Sequence, residues 1–415
     1  MNFYDLLKER ADDEKIFLRV DNRAFTYKNF FETVNAAADK ISDSGSNVFI
    51  AANNFLDQAI QFFAVQALGR RPIILHHDNQ MPSTTSRANP DDAIGVLSSG
   101  SSGRPKILFR TFDSWASFFP IQNKIFGVNE KSTVFIHGSL SFTGNLNVLL
   151  ATMSAGGSIV TSDKFSVRTW DNLIDGCSNI YLVPTKLNLL ASTVRPIETV
   201  KTIFTGSQLV SEKLRAELNK KFTAAKLIIY YGASELNYIT YKILDGAIEP
   251  NNLGRAFDGV TLDIRDGLIY VDSPWHVSGL KMPCTVGDAG HFNGEGELIF
   301  EGRGAEFINK GGYKINAVRL ENILLSINGI EQAAVVKVDD DRRGDNFVFF
   351  IKASDRKAAL DGIKSTLRPI ERADKIIFVD EIPLNDRGKV DKSRLIKSAA
   401  VADGLLADVI SRYFI

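Results

Sequence analysis

The sequence predicts an α/β protein of mainly parallel sheets, followed by a small antiparallel β region and a compact α+β unit. Three observations predict this class. Between residues 47 and 232, short and continuously apolar runs alternate with amphipathic segments. Strands that are apolar along their whole length are buried on both faces, as in parallel sheets covered by helices. After Asn251 the texture changes to hairpin-like stretches. Beyond glycines 302, 304, 311 and 312, a one-faced helix opens a further unit.

In chain order, NVFIAAN from Asn47 to Asn53 reads as a buried strand, Asp57–Leu68 as a helix and Pro72–His76 as a strand. The alternation continues through Ala93–Ser98, Thr133–His137, Leu146–Ser154, Ser158–Thr161 and Ile180–Pro184. It closes with Thr202–Thr205, the polar-faced helix Ser211–Lys221 and the run Lys226–Tyr231. TLDIR and LIYVD flank Asp266 and Gly267, a dipeptide suited to a two-residue hairpin turn. HFNGEGELIFEGR reads as a second hairpin, so a small antiparallel sheet or barrel is expected here. Leu320, Ile323, Leu324 and Ile327 stand at helical spacing on one face. Strand-like runs at Ala333–Val338 and Phe347–Lys352, a helix at Lys357–Leu367 and a strand at Lys375–Val379 follow. The boundary is expected near residue 303, with domains 1–303 and 304–415.

Composition narrows the function classes. A chain of 415 residues, 44% apolar and 24% charged, is long enough for two or three domains with sizeable cores. Lysine plus arginine and aspartate plus glutamate both number 49, so no net charge draws it to nucleic acid or an anionic membrane. Cys177 and Cys284 make no disulfide framework and have no metal-ligand neighbours. His76 and His77 are adjacent and point apart in a strand. The N-terminal stretch carries acids and lacks an apolar core, which reads against a signal or transit peptide. No apolar run reaches the roughly 18 residues of a membrane helix. A cytoplasmic enzyme without membrane span, nucleic-acid partner or structural metal is expected.

The sharpest chemical feature is LSSGSSGRPK, from Leu97 to Lys106. A strand runs into a loop of small residues closed by Pro105 and Lys106. Glycines let backbone approach an anion, serine hydroxyls donate to phosphate oxygens, and lysine adds a compact charge. The glycine–lysine–hydroxyl ending of the common phosphate loop is absent. A flexible Ser/Gly linker is the plain alternative, but a linker need not begin at the end of a buried strand.

This loop resembles the signature of the adenylate-forming (ANL) superfamily: acyl- and aryl-CoA synthetases, luciferases and peptide-synthetase adenylation domains. The match runs through Ser98, Ser99, Gly100, Ser101, Ser102, Gly103 and Lys106, with Ile107 where that family has glycine. Further motifs follow in the family's order. Tyr231, Gly232, Ala233, Ser234 and Glu235 are similar to its Tyr-Gly-x-Thr-Glu segment. The resemblance implies that Ser234 contacts nucleotide phosphate and that Glu235 helps to hold Mg²⁺. A carboxylate beside a triphosphate is repelled unless a cation lies between them, so the pairing is physically sound. Gly206, Ser207 and Gln208 stand where the family turns beside adenine. Asp288, in Val286-Gly287-Asp288, and Arg303, in the run FEGR, match the residues that reach the ribose. Lys389, in PLNDRGKVDK, matches the lysine that bridges carboxylate and α-phosphate during adenylation. A cation at that point stabilises the charge that develops as two anions meet.

The resemblance implies a large N-terminal domain of two α/β lobes plus a small β-barrel, and a small mobile C-terminal domain carrying Lys389. The implied reaction is carboxylate plus Mg·ATP giving acyl-AMP and pyrophosphate, then thioester formation with CoA or with the phosphopantetheine of a carrier protein. Complete loss of these motifs would have pointed to a non-catalytic nucleotide binder, yet they are present. Val286 replaces a threonine, and three further departures stand out: the signature loop comes early in the chain, Ala305 takes the hinge position, and the segment that often carries a histidine is altered. In SLSFTGN, Phe142 stands where CoA-using members often carry histidine, and peptide-synthetase domains have an aromatic there. Phe142 and Asn145 are the candidate acyl-pocket residues. No acid lies between Gly138 and Leu146, so the expected substrate is a small aryl or medium acyl acid without an α-amino group.

Overall fold

The structure is a computed structural model of the 415-residue chain. It describes residues 1–42, 44–76, 81–82, 88–98, 105–208, 210–246, 249, 251–303, 307–310, 313–340, 344–384, 390–392 and 394–395. Two compact units emerge: Met1–Val210 with Leu214–Val286 and Phe292–Ile299, and Ser211–Lys213 with Gly287–His291 and the chain from Phe300 onward.

The chain opens with α1 (Phe3–Lys8), β1 (Ile16–Val20), β2 (Arg23–Thr26) and α2 (Tyr27–Ala38). Asn2 starts α1 with a capping box: its side chain accepts from the Tyr4 and Asp5 amides, and the Asp5 carboxylate accepts from the Asn2 amide. Next come β3 (Asn47–Ile50), α3 (Phe55–Ala67), β4 (Arg71–Ile74), β5 (Asp92–Leu97) and β6 (Ile107–Thr111). The strand expected over Pro72–His76 therefore stops at Ile74. These four strands form one sheet in the order β3-β4-β5-β6, parallel except for β6.

The larger sheet draws on α4 (Asp113–Ala116), α5 (Phe119–Phe126), β7 (Thr133–Ile136), α6 (Thr143–Ser154), β8 (Ser158–Thr161), α7 (Val167–Ile174), β9 (Asn179–Tyr181) and α8 (Pro184–Thr193). It is completed through β10 (Thr202–Gly206), α9 (Glu212–Lys221), β11 (Lys226–Ala233), β12 (Asn237–Ile243) and β13 (Arg255–Ala256). Its nine strands run β13-β12-β11-β10-β9-β7-β8-β1-β2. The six from β11 through β1 are parallel. Every residue of β8, β9 and β10 is buried, as continuously apolar strands require when both faces are covered. Ile203 packs into the core under α7, α8 and α9. Its neighbour Phe204 stacks on Phe126 of α5 on the opposite face, 4.4 Å between ring centroids.

Sequence alternation began at residue 47, yet β1 and β2 belong to this sheet, β1 lying parallel to β8. Their pairing partner lies far along the chain, and no local pattern announces it. β14 (Thr261–Arg265) and β15 (Leu268–Asp272) form the expected hairpin, with Asp266 and Gly267 both left-handed at φ 50° and 75°. With β16 (Asp288–Phe292) and β17 (Leu298–Arg303) the sheet order is β14-β15-β16-β17.

The second unit adds β18 (Phe307–Lys310), β19 (Tyr313–Asn316), α10 (Ala317–Ser326), β20 (Ile330–Asp340), β21 (Gly344–Ala353), α11 (Arg356–Thr366) and β22 (Lys375–Phe378). Its sheet runs β19-β18-β21-β20, with β22 parallel to β21. Alternate residues of β20 serve two cores: Ala333 and Val335 pack with Leu320 and Leu324, whereas Ala334 and Val336 pack with Ile382 and Leu395. Among the described residues no helix is long and apolar enough to cross a membrane.

Candidate active site

In the first unit, the segments singled out by sequence leave the carboxyl ends of strands, where open α/β sheets place ligands. β5 ends at Leu97, and the Ser98 amide donates to the Lys106 carbonyl at 2.9 Å, closing the mouth of the Ser/Gly loop. Ser98 is buried and Lys106 exposed; Ser99, Gly100, Ser101, Ser102 and Gly103 lie outside the described residues.

β10 ends in Gly206, which faces Tyr230 in the parallel register. A Cβ at Gly206 would stand 2.5 Å from the Tyr230 ring, so only glycine fits. Ser207 follows with φ 70°, an uncommon conformation for a residue bearing a side chain, and Gln208 is half-buried.

β11 carries Tyr231, Gly232 and Ala233 to the turn holding Ser234 and Glu235. Its pairing with β12 shifts register between Tyr231 and Gly232, and a Cβ on Gly232 would come 2.5 Å from the Asn237 carbonyl oxygen. Glu235 is half-buried, and its carbonyl accepts from the Val277 amide at 2.9 Å. The Ser234 hydroxyl lies 3.3 Å from that of Thr143, at the start of α6.

Arg110 was missed by sequence reading. This fully buried residue of β6 donates from Nη2 to the Ser234 carbonyl at 2.8 Å and from Nη1 to the Trp275 carbonyl at 3.2 Å. Its guanidinium also lies 5.5 Å from the Trp115 ring. Burial lowers its pKa to about 9, with the Glu235 charge acting against that fall. An arginine inside the apolar run ILFRT was the available signal, because a buried charge demands partners.

Phe142 precedes α6, and Asn145 in its first turn donates to the Ser139 carbonyl at 3.0 Å. Sequence reading also missed His137 and Lys186. The Lys186 ammonium donates to the His137 carbonyl at 3.0 Å and to Nδ1 of its ring at 3.2 Å. An ammonium only donates, so Nδ1 accepts and the ring proton sits on Nε2. Burial, reinforced by the Lys186 charge, drops the His137 pKa to about 3.

Asp288 opens β16 and is buried, and Arg303 ends β17; both belong to the second unit. Lys389 and Ala305 lie outside the described residues.

Comparison with known proteins agrees with the motifs. The AMP-binding enzyme family matches residues 74–277, and the AMP-binding enzyme C-terminal domain matches residues 319–389. An acyl-CoA ligase of Bacillus subtilis (strain 168), YhfT, described as uncharacterized, is 31% identical over 327 residues, 72% of this chain and 67% of its own. A 2-succinylbenzoate–CoA ligase of Lactococcus lactis subsp. lactis (strain IL1403) is 22% identical over 434 residues, covering 89% of this chain and 95% of its own. Among solved structures, ATP-bound MatB from Rhodopseudomonas palustris superposes with TM-score 0.82 at 19% identity, covering 96% of this chain and 99% of that one. The AMP complex of O-succinylbenzoate coenzyme A synthetase from Bacillus subtilis gives TM-score 0.81 at 19% identity, covering 95% and 98%. The chain belongs to the AMP-binding enzymes, the adenylate-forming superfamily that includes the acyl-CoA ligases.

Proposed function

We propose that this enzyme activates a carboxylic acid with ATP and transfers the acyl group to the thiol of CoA. The observation that carries the reading is Arg110: it ties β6, the strand leaving the Ser/Gly loop, to the turn bearing Ser234 and Glu235. That contact supports the reading by bringing the strand that follows the Ser/Gly loop against the turn of Ser234 and Glu235.

In the first step a carboxylate oxygen attacks the α-phosphorus, the bond to the β-phosphate oxygen breaks, and pyrophosphate leaves. In the second, the thiol sulfur attacks the acyl carbonyl carbon, the bond to the AMP oxygen breaks, and the sulfur's proton is lost. Ser98 to Gly103 and Lys106 hold the outer phosphates, Ser234 the α-phosphate, and Gly206 to Gln208 with Tyr231 to Ala233 the adenine side. Asp288 and Arg303 hold the ribose, and Lys389, on a mobile domain spanning 304–415, bridges carboxylate and α-phosphate. Mg²⁺ fits Glu235. No metal-sized cluster of ligating side chains stands among the described residues. A lone carboxylate suits an ion that keeps its waters and takes phosphate oxygens as further ligands. When bound it would neutralise phosphate charge.

The acid lacks an α-ammonium in this reading. The segment from Gly138 to Leu146 has no carboxylate, and the Lys186 ammonium bonds to the adjoining His137 carbonyl. A second cation there would be repelled and unpaired, at a cost of several kcal/mol. ATP–pyrophosphate exchange with the amino acids, fatty acids and aryl acids tests this, with exchange expected only for acids without the ammonium. Exchange confined to an α-amino acid would refute it. Thioester formation with CoA, against a phosphopantetheinylated carrier, then identifies the thiol; turnover of the carrier alone would replace CoA as the acceptor.

A further inference from the structure

Within the acid–ATP site just proposed, the geometry assigns two tyrosines a role that no motif marks. We propose that Tyr181 and Tyr230 form the floor of the acid pocket and restrict it to short, compact carboxylic acids.

The acid's carboxylate must meet the α-phosphate near Ser234, whose hydroxyl lies 3.3 Å from that of Thr143. An acyl chain running from that point toward β10 and β11 meets Phe142 and Gly144, the residues flanking Thr143. A Cβ on Gly144 would overlap the Tyr181 hydroxyl and stand 2.9 Å from the Phe142 ring. The Tyr181 hydroxyl in turn lies 2.7 Å from that of Tyr230, whose ring covers Gly206 at the end of β10. Both tyrosines are buried, at 1% and 7% exposure. The space behind them is filled as well. Tyr181 stacks on Phe204 at 5.3 Å, Phe204 on Phe126 at 4.4 Å, and Tyr230 packs on Tyr238 at 4.1 Å. Between the start of α6 and the ends of β10 and β11 the interior is a continuous block of rings. An acyl chain could extend there only by displacing an aromatic side chain, with loss of its packing and of the tyrosine–tyrosine hydrogen bond.

The test is ATP–pyrophosphate exchange by the full-length enzyme with acetate, propionate, butyrate, hexanoate, octanoate and palmitate. Wild-type kcat/KM should fall at least about tenfold between butyrate and octanoate, and palmitate should be inert. Tyr181→Ala, or the milder Tyr181→Leu, should raise the octanoate-to-butyrate ratio at least about tenfold, whereas Tyr181→Phe keeps the wild-type ranking. Wild-type preference for octanoate or palmitate would overturn the proposal, and that measurement needs no variant. A ratio unmoved in a folded variant with exchange activity would overturn it too. Exchange with aryl or amino acids only would refute the straight-chain length limit while leaving adenylation standing. No exchange with any acid would overturn the acid–ATP reading and this inference with it.

Discussion

Among the described residues the ammonium of Lys186 has two neutral acceptors, both on His137, and burial is the cause of its pKa shift. Burial pulls that pKa from 10.5 to about 8. A base that holds its proton less tightly when folded destabilises the fold at every pH where the unfolded chain is protonated. The penalty is complete below about pH 8 and disappears as pH rises toward 10.5. Its size is about 3 kcal/mol, from ~1.4 kcal/mol per pKa unit. Wild-type stability relative to Lys186→Met should therefore climb between pH 8 and 10.5, read as the difference in urea midpoints. A flat difference would contradict the buried-charge account. Arg110 gives a second test. Arg110→Met leaves the Ser234 and Trp275 carbonyls without their donor, at about 1–3 kcal/mol each. Pyrophosphate exchange should drop at least about tenfold as the Glu235 turn loosens. Arg110→Lys should restore only part of it, since an ammonium lacks the planar fork. Wild-type exchange in a fully stable Arg110→Met would remove the tie from the mechanism.

At the scale of elements, a buried carboxylate ties two pieces of the second unit together. Glu371, in the short turn Pro369–Glu371, accepts from Arg368 and from Arg319 of α10, joining that turn to the helix. The Arg368 hydrogen bond is the largest cause lowering its pKa from 4.5 to about 2, with Arg319 adding and burial opposing. The stabilisation is fully present above pH 4.5 and is lost as pH falls through 2. Glu371→Gln should lower the melting temperature at pH 7 and blunt the acid loss between pH 4.5 and 2, followed by circular dichroism. An unchanged acid transition would assign the loss to other carboxylates. Elements of this unit were largely legible in sequence: Leu320 and Leu324 do face one core, and the runs read at Ala333–Val338 and Phe347–Lys352 lie inside β20 and β21. The hairpin at Asp266 and Gly267 was legible because its turn chemistry is local. β1 and β2 were not, because β1 finds β8 across more than a hundred intervening residues.

For the whole molecule, the division of labour between domains makes its own prediction. If Lys389 serves adenylation from a mobile C-terminal domain, Lys389→Ala should abolish acyl-AMP formation and leave thiolysis of a supplied acyl-adenylate largely intact. Single-turnover assays of the two half-reactions separate these outcomes. Equal loss of both in a folded protein would refute the two-conformation mechanism.

Sequence alone determined the fold class and the family chemistry. Apolar periodicity, turn dipeptides and phosphate-loop composition are properties of neighbouring residues, and they survive reading along the chain. The candidate motifs from Ser98 to Lys106 and from Tyr231 to Glu235 were legible for that reason. Only the tertiary structure decided what stands around them. Arg110 reaches Ser234 across 124 residues, and the Tyr181–Tyr230 and His137–Lys186 pairs each span 49. The sequence shows such groups as ordinary tyrosines and bases. Their partners follow from which strand ends meet in space, and burial then sets the strength of each contact and the charge state of each base.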